Sequence, residues 1–239
     1  MKQIKFFLVI LFDIIDTYYH QIKILKALKK FNLNINYFID VGACNGKYTD
    51  LIINNFQVKH VLMFEPNKFF YHILKKKYKS NNYIKIFNNA VSNNNKLKKF
   101  YINKHNLTSS LEKLNEENTY LKIKAMLFDP GLHSTLIEKV LFLKTVRLID
   151  VIKRKKIKKI DLIKIDTEGH EKKVLLGINN FIKKINYIII EFHNDKIYFE
   201  YNSEWIHNYL IKKGFLLKKR FKFPFTKWED RIYKNKFLV

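Results

Sequence analysis

Two kinds of apolar pattern alternate along the first half of the chain: short continuous runs, and stretches in which apolar residues recur every three to four positions. Asn36–Val41, Val58–Glu65 and Tyr83–Phe87 are continuous runs and predict strands. Between them, Lys47–Asn55 and the stretch from Pro66 through Lys75-Lys-Lys-Tyr78 carry helical periodicity, with Pro66 expected in a first helical turn. The pattern resumes with a strand at Ile160–Ile165 and a helix at Glu168–Gly177, for which Gly177 is the expected C-cap. Asn186–Phe192 follows as a nearly unbroken apolar strand, as the interior of a parallel sheet requires. A helix at Trp205–Lys213, stopped at Gly214, and two strands at Phe215–Phe223 and Arg231–Val239 complete the series. Such alternation predicts an α/β fold wound by right-handed crossovers.

The least regular stretch lies between the two halves. Lys96–Ile102 reads as a strand, Asn106–Ser110 as a polar loop and Asp129-Pro-Gly131 as a turn. Residues 103–145 are therefore the expected substrate-side insertion, since loops at strand C-termini carry function in open α/β sheets. Residues 4–31 read as one or two helices, which gives a helical extension over 1–35 and one large domain over 36–239. The basic start followed by Phe6–Phe12 has the outline of a signal peptide. Asp13 and Asp16 interrupt the run, however, and no small-residue cleavage site follows. The segment is expected to pack on the domain, or alternatively to lie on an anionic membrane surface.

Composition narrows this picture in two ways. The formal charge of +25 attracts polyanions, and nucleic acid is the first partner it suggests. The cations are mostly Lys interleaved with Asn and Ile, as in Lys30–Asn36 and Asn88–Lys99, which a coding bias yields equally well. The single cysteine, Cys44, excludes a disulfide within the chain and any multi-cysteine zinc site. A cytoplasmic location is expected, with attachment to the inner face of the membrane through residues 1–31 as its variant.

Candidate chemistry gathers at the predicted strand ends. Asp40-Val-Gly-Ala-Cys-Asn-Gly46 sits at a strand-to-helix turn, where Gly42 and Gly46 let backbone approach a ligand and a helix N-terminus offers free N–H groups. Glu65 closes the next strand, the position from which an acid accepts hydrogen bonds from both ribose hydroxyls of an adenosyl group. No Gly-x-Gly-x-x-Gly and no Walker A sequence is present, so dinucleotides and nucleoside triphosphates fit poorly. Asp40 suits a cation, such as the sulfonium of S-adenosylmethionine (SAM). Asn88-Asn-Ala-Val-Ser92, after the third strand, is placed to read an adenine edge with its polar side chains and backbone groups. Asp166 ends the fourth strand, with Glu168 and Glu171 expected on one face of the following helix and His170 facing away. Glu191 and His193 follow the fifth strand.

With these residues placed, the chain resembles the FkbM family of SAM-dependent methyltransferases over most of 36–193. The segments that carry the resemblance are Phe38–Thr49, Phe64-Glu-Pro-Asn67, Ala90-Val-Ser92, Thr108-Ser-Ser110, Asp150, Ile163-Lys-Ile-Asp-Thr-Glu-Gly-His-Glu171 and Ile188–Glu191. The Lys-Ile-Asp-x-Glu-Gly-x-Glu element is the most specific. The family usually reads Gly-Ala-Asn-x-Gly at the turn, whereas here Cys44 intervenes and Asn45 comes one place later. The resemblance implies a Rossmann-like, class I methyltransferase fold with a seven-stranded sheet in the order 3-2-1-4-5-7-6, its last strand antiparallel. It also implies methyl transfer to a hydroxyl, largely on sugars of glycans and glycolipids. Asp40, Gly42, Ala43, Cys44, Asn45, Gly46, Thr49, Glu65, Pro66, Asn89, Ala90 and Val91 are then the expected SAM contacts, and Asp166, Glu168 and His193 the expected catalytic groups. No loop spacing demands a metal, so no metal site is assigned. Ribose 2′-O-methylation of RNA and a membrane-surface binding protein with a decayed fold stand as alternatives. Against RNA base methylation, the Asn/Asp-Pro-Pro-aromatic and Pro-Cys elements are absent.

Overall fold

The computed structural model describes residues 20–103, 108–118, 121, 137–194, 197–224 and 226–238. The expected turn at Asp129–Gly131, about half of the expected insertion, and the N-terminal residues before His20 lie outside them. The central sheet is built from β1 (Ile35–Val41), β2 (Val58–Phe64) and β3 (Ile84–Phe87) on one side. On the other side stand β7 (Ile160–Ile165), β8 (Ile185–His193), β9 (Phe215–Lys222) and β10 (Trp228–Asn235). Their order is β3-β2-β1-β7-β8-β10-β9. Counted along this sheet alone, that is the 3-2-1-4-5-7-6 order implied by the resemblance. β10 runs antiparallel to both its neighbours, β8 and β9, and all other pairs are parallel.

The innermost strands are the most apolar for a simple reason: helices cover both their faces. All six residues of β7 are buried, and β8 is buried along nearly its whole length. One core layer packs α4 (Leu148–Arg154), α5 (Glu171–Ile178) and α6 (Ser203–Lys212) against Ile39, Ile163, Ile165, Ile188 and Ile190. The opposite layer packs α1 (Ile22–Lys29), α2 (Lys47–Ile53) and α3 (Lys68–Lys77) against Phe38, Val61, Met63, Leu162 and Ile189. α1 thus lays Ile24 and Leu28 into the same sheet as the rest of the chain, while its Lys residues face outward.

Several local readings need correction. Pro66 lies before its helix: Asn67 is the N-cap, and its Oδ1 accepts from the Phe69 N–H at 3.0 Å. The helix after β7 starts at Glu171 and not at Glu168, because Glu168 and Gly169 both have left-handed backbone, at φ 55° and 95°. Gly177 lies inside that helix. A Cβ there would come 2.1 Å from the Ser92 carbonyl oxygen, so the residue is small because α5 touches the backbone at Ser92. Residues 137–145, read as part of an insertion, belong to β6 (Ile137–Val146). It pairs antiparallel with β5 (Leu97–Asn103) and parallel with β4 (Ala90–Val91) to form a second, three-stranded sheet. The last strand begins three residues earlier than expected, at Trp228, where β10 pairs with His193.

Candidate active site

β1 delivers a buried Asp40 to the sheet's C-terminal edge, and the chain then turns sharply against β7. A Cβ on Gly42 would lie 1.7 Å from the Asp166 carbonyl oxygen, and its φ of 85° suits glycine alone. The N–H groups of Gly42 and Ala43 both donate to the Phe64 carbonyl, at 3.0 and 3.1 Å, tying the turn to the end of β2. Gly46, again left-handed, caps α2, and Tyr78 from the end of α3 donates to its carbonyl at 3.0 Å. Asn45 acts within the turn itself, where its Oδ1 accepts from the Lys47 N–H at 3.1 Å. Cys44 adopts φ 47°, and burial, with the Glu65 carboxylate second, pushes its thiol up to about 12. It stays protonated and is no nucleophile.

Glu65 binds this turn from the next strand. Oε2 accepts from the Cys44 N–H and Oε1 from the Asn67 N–H, both at 2.7 Å, which leaves each oxygen one free lone pair. Burial raises its pKa to about 7 despite those two donors. Asn88 presents its amide to the carbonyls of Glu65 and Pro66, at 2.9 and 3.0 Å, and so sets Asn89–Val91 beside Glu65. Asn88 belongs to the segment expected to read an adenine edge, and its amide ties that segment to the end of β2. Ala90 and Val91 are buried in β4.

Asp40 faces Lys164 across the β1–β7 register. Thr49 donates to Asp40 Oδ2 at 2.6 Å, while Oδ1 is buried with no hydrogen-bond partner among the described residues. Burial raises the Asp40 pKa, against the pull of Lys164. Lys164 Nζ donates to Asp166 Oδ2 at 2.6 Å and sits 5.0 Å from the centre of the Tyr48 ring. Burial opposes the Asp166 charge, but the Lys164 ammonium outweighs it and holds the carboxyl below the usual carboxylate range. Asp166 is therefore ionised, and its backbone N–H is anchored to the Val41 carbonyl at 3.0 Å.

The loop from Asp166 to Glu171 is held from all sides. Glu171 turns inward, where Oε1 accepts from the N–H and hydroxyl of Thr167 and from the Gly169 N–H, at 2.8, 3.0 and 3.3 Å. It organises the loop and does not share a helical face with Glu168. Ser110 reaches in from the stretch after β5 and contacts the carbonyls of Thr167 and Glu168, at 3.1 and 2.6 Å. That clamp gives the Thr108-Ser-Ser110 segment a purpose that periodicity alone did not reveal. His170, expected to face away, is buried between Glu112, 2.6 Å from Nδ1, and Ser92, 2.9 Å from Nε2. Glu168 receives a hydrogen bond from the Tyr198 hydroxyl at 2.6 Å, and burial lifts its pKa to about 7. His193 Nε2 stands 2.9 Å from Glu191 Oε2, and the rings of Tyr198 and Tyr201 meet the imidazole edge-on. Burial and the neighbouring Asp166 raise the Glu191 pKa well above the carboxylate range; burial opposes a charge on His193, but Glu191, Glu168 and Glu171 outweigh it and push the imidazole up to about 10. The structure thus brings Asp40, Thr49, Glu65, Asp166, Glu168 and His193 to one edge of the sheet.

An arrangement of two left-handed glycines, an acid closing the next strand and an unpartnered buried carboxylate oxygen fits an adenosyl group that carries a cationic sulfonium. Comparison with known proteins agrees. Over 63 residues the chain is 32% identical to the hexuronic acid methyltransferase AglP of Haloferax volcanii, a match covering 26% of each protein. The structure of methyltransferase FkbM from Methylobacillus flagellatus superposes with a TM-score of 0.54 at 14% identity, over 84% of this chain and 43% of that one. The chain thus spans about a quarter of the curated relative and less than half of the structural one. The methyltransferase FkbM domain matches residues 40–217, well over half the chain, which therefore belongs to the FkbM family of methyltransferases and takes SAM as its methyl donor.

Proposed function

We propose that this methyltransferase transfers the methyl group to a hydroxyl oxygen of a sugar, in a glycan or glycolipid. The observation that carries the reading is Asp166, a carboxylate kept ionised by Lys164 at the strand end that abuts the cofactor turn. When bound, SAM supplies an electrophilic methyl carbon and leaves with the electron pair of its sulfur–carbon bond. The acceptor hydroxyl must shed a proton as its oxygen gains the methyl, and Asp166 takes it. A carboxylate of low basicity suffices because the oxygen becomes strongly acidic once bonded to the methyl group. Asp40 faces the donor's positive charge with Oδ1, and Glu65 accepts the ribose hydroxyls with its two remaining lone pairs. Glu168 and His193 line the acceptor side. The curated relative's name gives a sugar acid, hexuronic acid, as its substrate, which supports a sugar acceptor here. The experiment is methyl transfer by wild type and Asp166→Asn: turnover should fall about 10²–10⁴-fold with SAM affinity kept, whereas near-normal turnover removes Asp166 from the reaction.

A peripheral contact with anionic lipid belongs to the same reading. Among the described residues no helix is long and apolar enough to cross a membrane. A groove of about 590 Å³ between α1 and β9 is lined by Lys26, Lys30, Lys218, Lys219 and Lys222 among others, and its charge complements lipid phosphates.

A further inference from the structure

Three side chains beside Asp166 are arranged in a way that methyl transfer alone does not require. Glu168, Glu191 and His193 each present one ligand atom, and these atoms all lie within 4.8 Å of one another. They come from two elements, the loop after β7 and the end of β8, so no sequence spacing announces them. Glu191 Oε2 and both ring nitrogens of His193 are buried with no hydrogen bond among the described residues. The 2.9 Å approach of His193 Nε2 to Glu191 Oε2 brings the two atoms together without hydrogen-bond alignment. His193 is only 5% exposed and Glu191 7%, so water does not satisfy them readily, and buried polar groups left this way are rare. Tyr198 holds one oxygen of Glu168 and, with Tyr201, walls the imidazole.

We propose that Glu168, Glu191 and His193 bind one divalent cation of the Mn²⁺, Co²⁺ or Zn²⁺ class next to the methyl-transfer site. Two carboxylate oxygens and an imidazole nitrogen are the donors such ions prefer, whereas Ca²⁺ and Mg²⁺ favour oxygen alone. Ligand atoms about 2.0–2.2 Å from a common ion stand roughly 3–4 Å apart, so small side-chain rotations close the site. Three protein ligands leave positions open for an acceptor. On the reading that the acceptor is a hydroxyl, the cation orients it and raises its acidity while Asp166, two residues before Glu168, takes the proton.

The test uses the full chain stripped with EDTA and titrated by calorimetry with Mn²⁺, Co²⁺ and Zn²⁺ in turn, with neither SAM nor acceptor present. The expected result is one saturable site per chain for at least one ion. Its affinity should fall about 10-fold or more in both Glu191→Gln and His193→Gln, by analogy with the loss seen when metal-site partners are removed. SAM affinity and thermal unfolding of the variants establish that they fold. No saturable site for any of the three ions, or unchanged affinity in both variants, overturns the proposal. The two readings fail separately. A chain that binds the ion but methylates a nitrogen keeps its metal site, and one that methylates a hydroxyl at full rate after EDTA without binding any ion loses only the metal.

Discussion

Replacing Glu65 by Gln perturbs the cofactor end of the site and little else. In the wild type each carboxylate oxygen accepts one backbone N–H at 2.7 Å, from Cys44 and from Asn67. The Gln amide can accept at only one of these, and its NH₂ must face the other N–H, which leaves a buried donor unpaired at about 1–3 kcal/mol. The same change removes the charged acceptor for a ribose hydroxyl, and hydrogen bonds to charged groups contribute about 1.5–3 kcal/mol. SAM affinity in Glu65→Gln should therefore fall roughly 10- to 150-fold, measured by calorimetry. pH gives a second reading. Glu65 has its pKa raised to about 7 in the free protein, so it is protonated below that value and ionised above it. Binding to the ionised form should strengthen as pH rises from about 5.5 to 8, and this dependence should flatten in Glu65→Gln. Unchanged affinity in the variant would refute the ribose assignment.

Gly177→Ala should destabilise the fold even though Ala is the better helix former by about 1 kcal/mol. The added Cβ meets the Ser92 carbonyl oxygen at 2.1 Å, and separating α5 from that backbone costs about 1–3 kcal/mol beyond the gain. A Tm lowered by several degrees in a thermal melt is the expected result, and a raised Tm contradicts the contact. Glu171→Gln should loosen the Thr167–Gly169 loop and lower kcat more than SAM affinity, since two of its three donors are backbone N–H groups of that loop; equal losses in both would place it at the cofactor. Lys26→Glu with Lys218→Glu should weaken sedimentation with phosphatidylserine vesicles and leave SAM affinity unchanged, and undiminished sedimentation removes the basic groove from the lipid contact.

What was legible in the sequence follows burial. β7 and β8 are covered on both faces, so their apolar runs stood out, and the glycine turn and Glu65 followed from the strand ends they close. β6 was missed because it is largely exposed: its polar and apolar residues mix, and Phe142 is 63% exposed. The Asp166–Glu171 loop reads as helix because Glu168-Gly-His-Glu171 has helical spacing, while Gly169 at φ 95° and the inward turn of Glu171 depend on Ser110 and Tyr198 from elsewhere in the chain. His170 and Gly177 were misassigned for the same reason, since both answer to Ser92, distant in sequence.

The central claim is that a methyl group passes from SAM, held at the Asp40–Gly46 turn, to a sugar hydroxyl beside Asp166. The most direct measurement incubates the protein with SAM carrying a ¹³C-methyl group and a panel of glycans and glycolipids, and reads the product by NMR. The account predicts a methyl ether carbon on a sugar ring with wild type and none with Asp166→Asn. A label found as a methyl ester, on nitrogen or on RNA would contradict it.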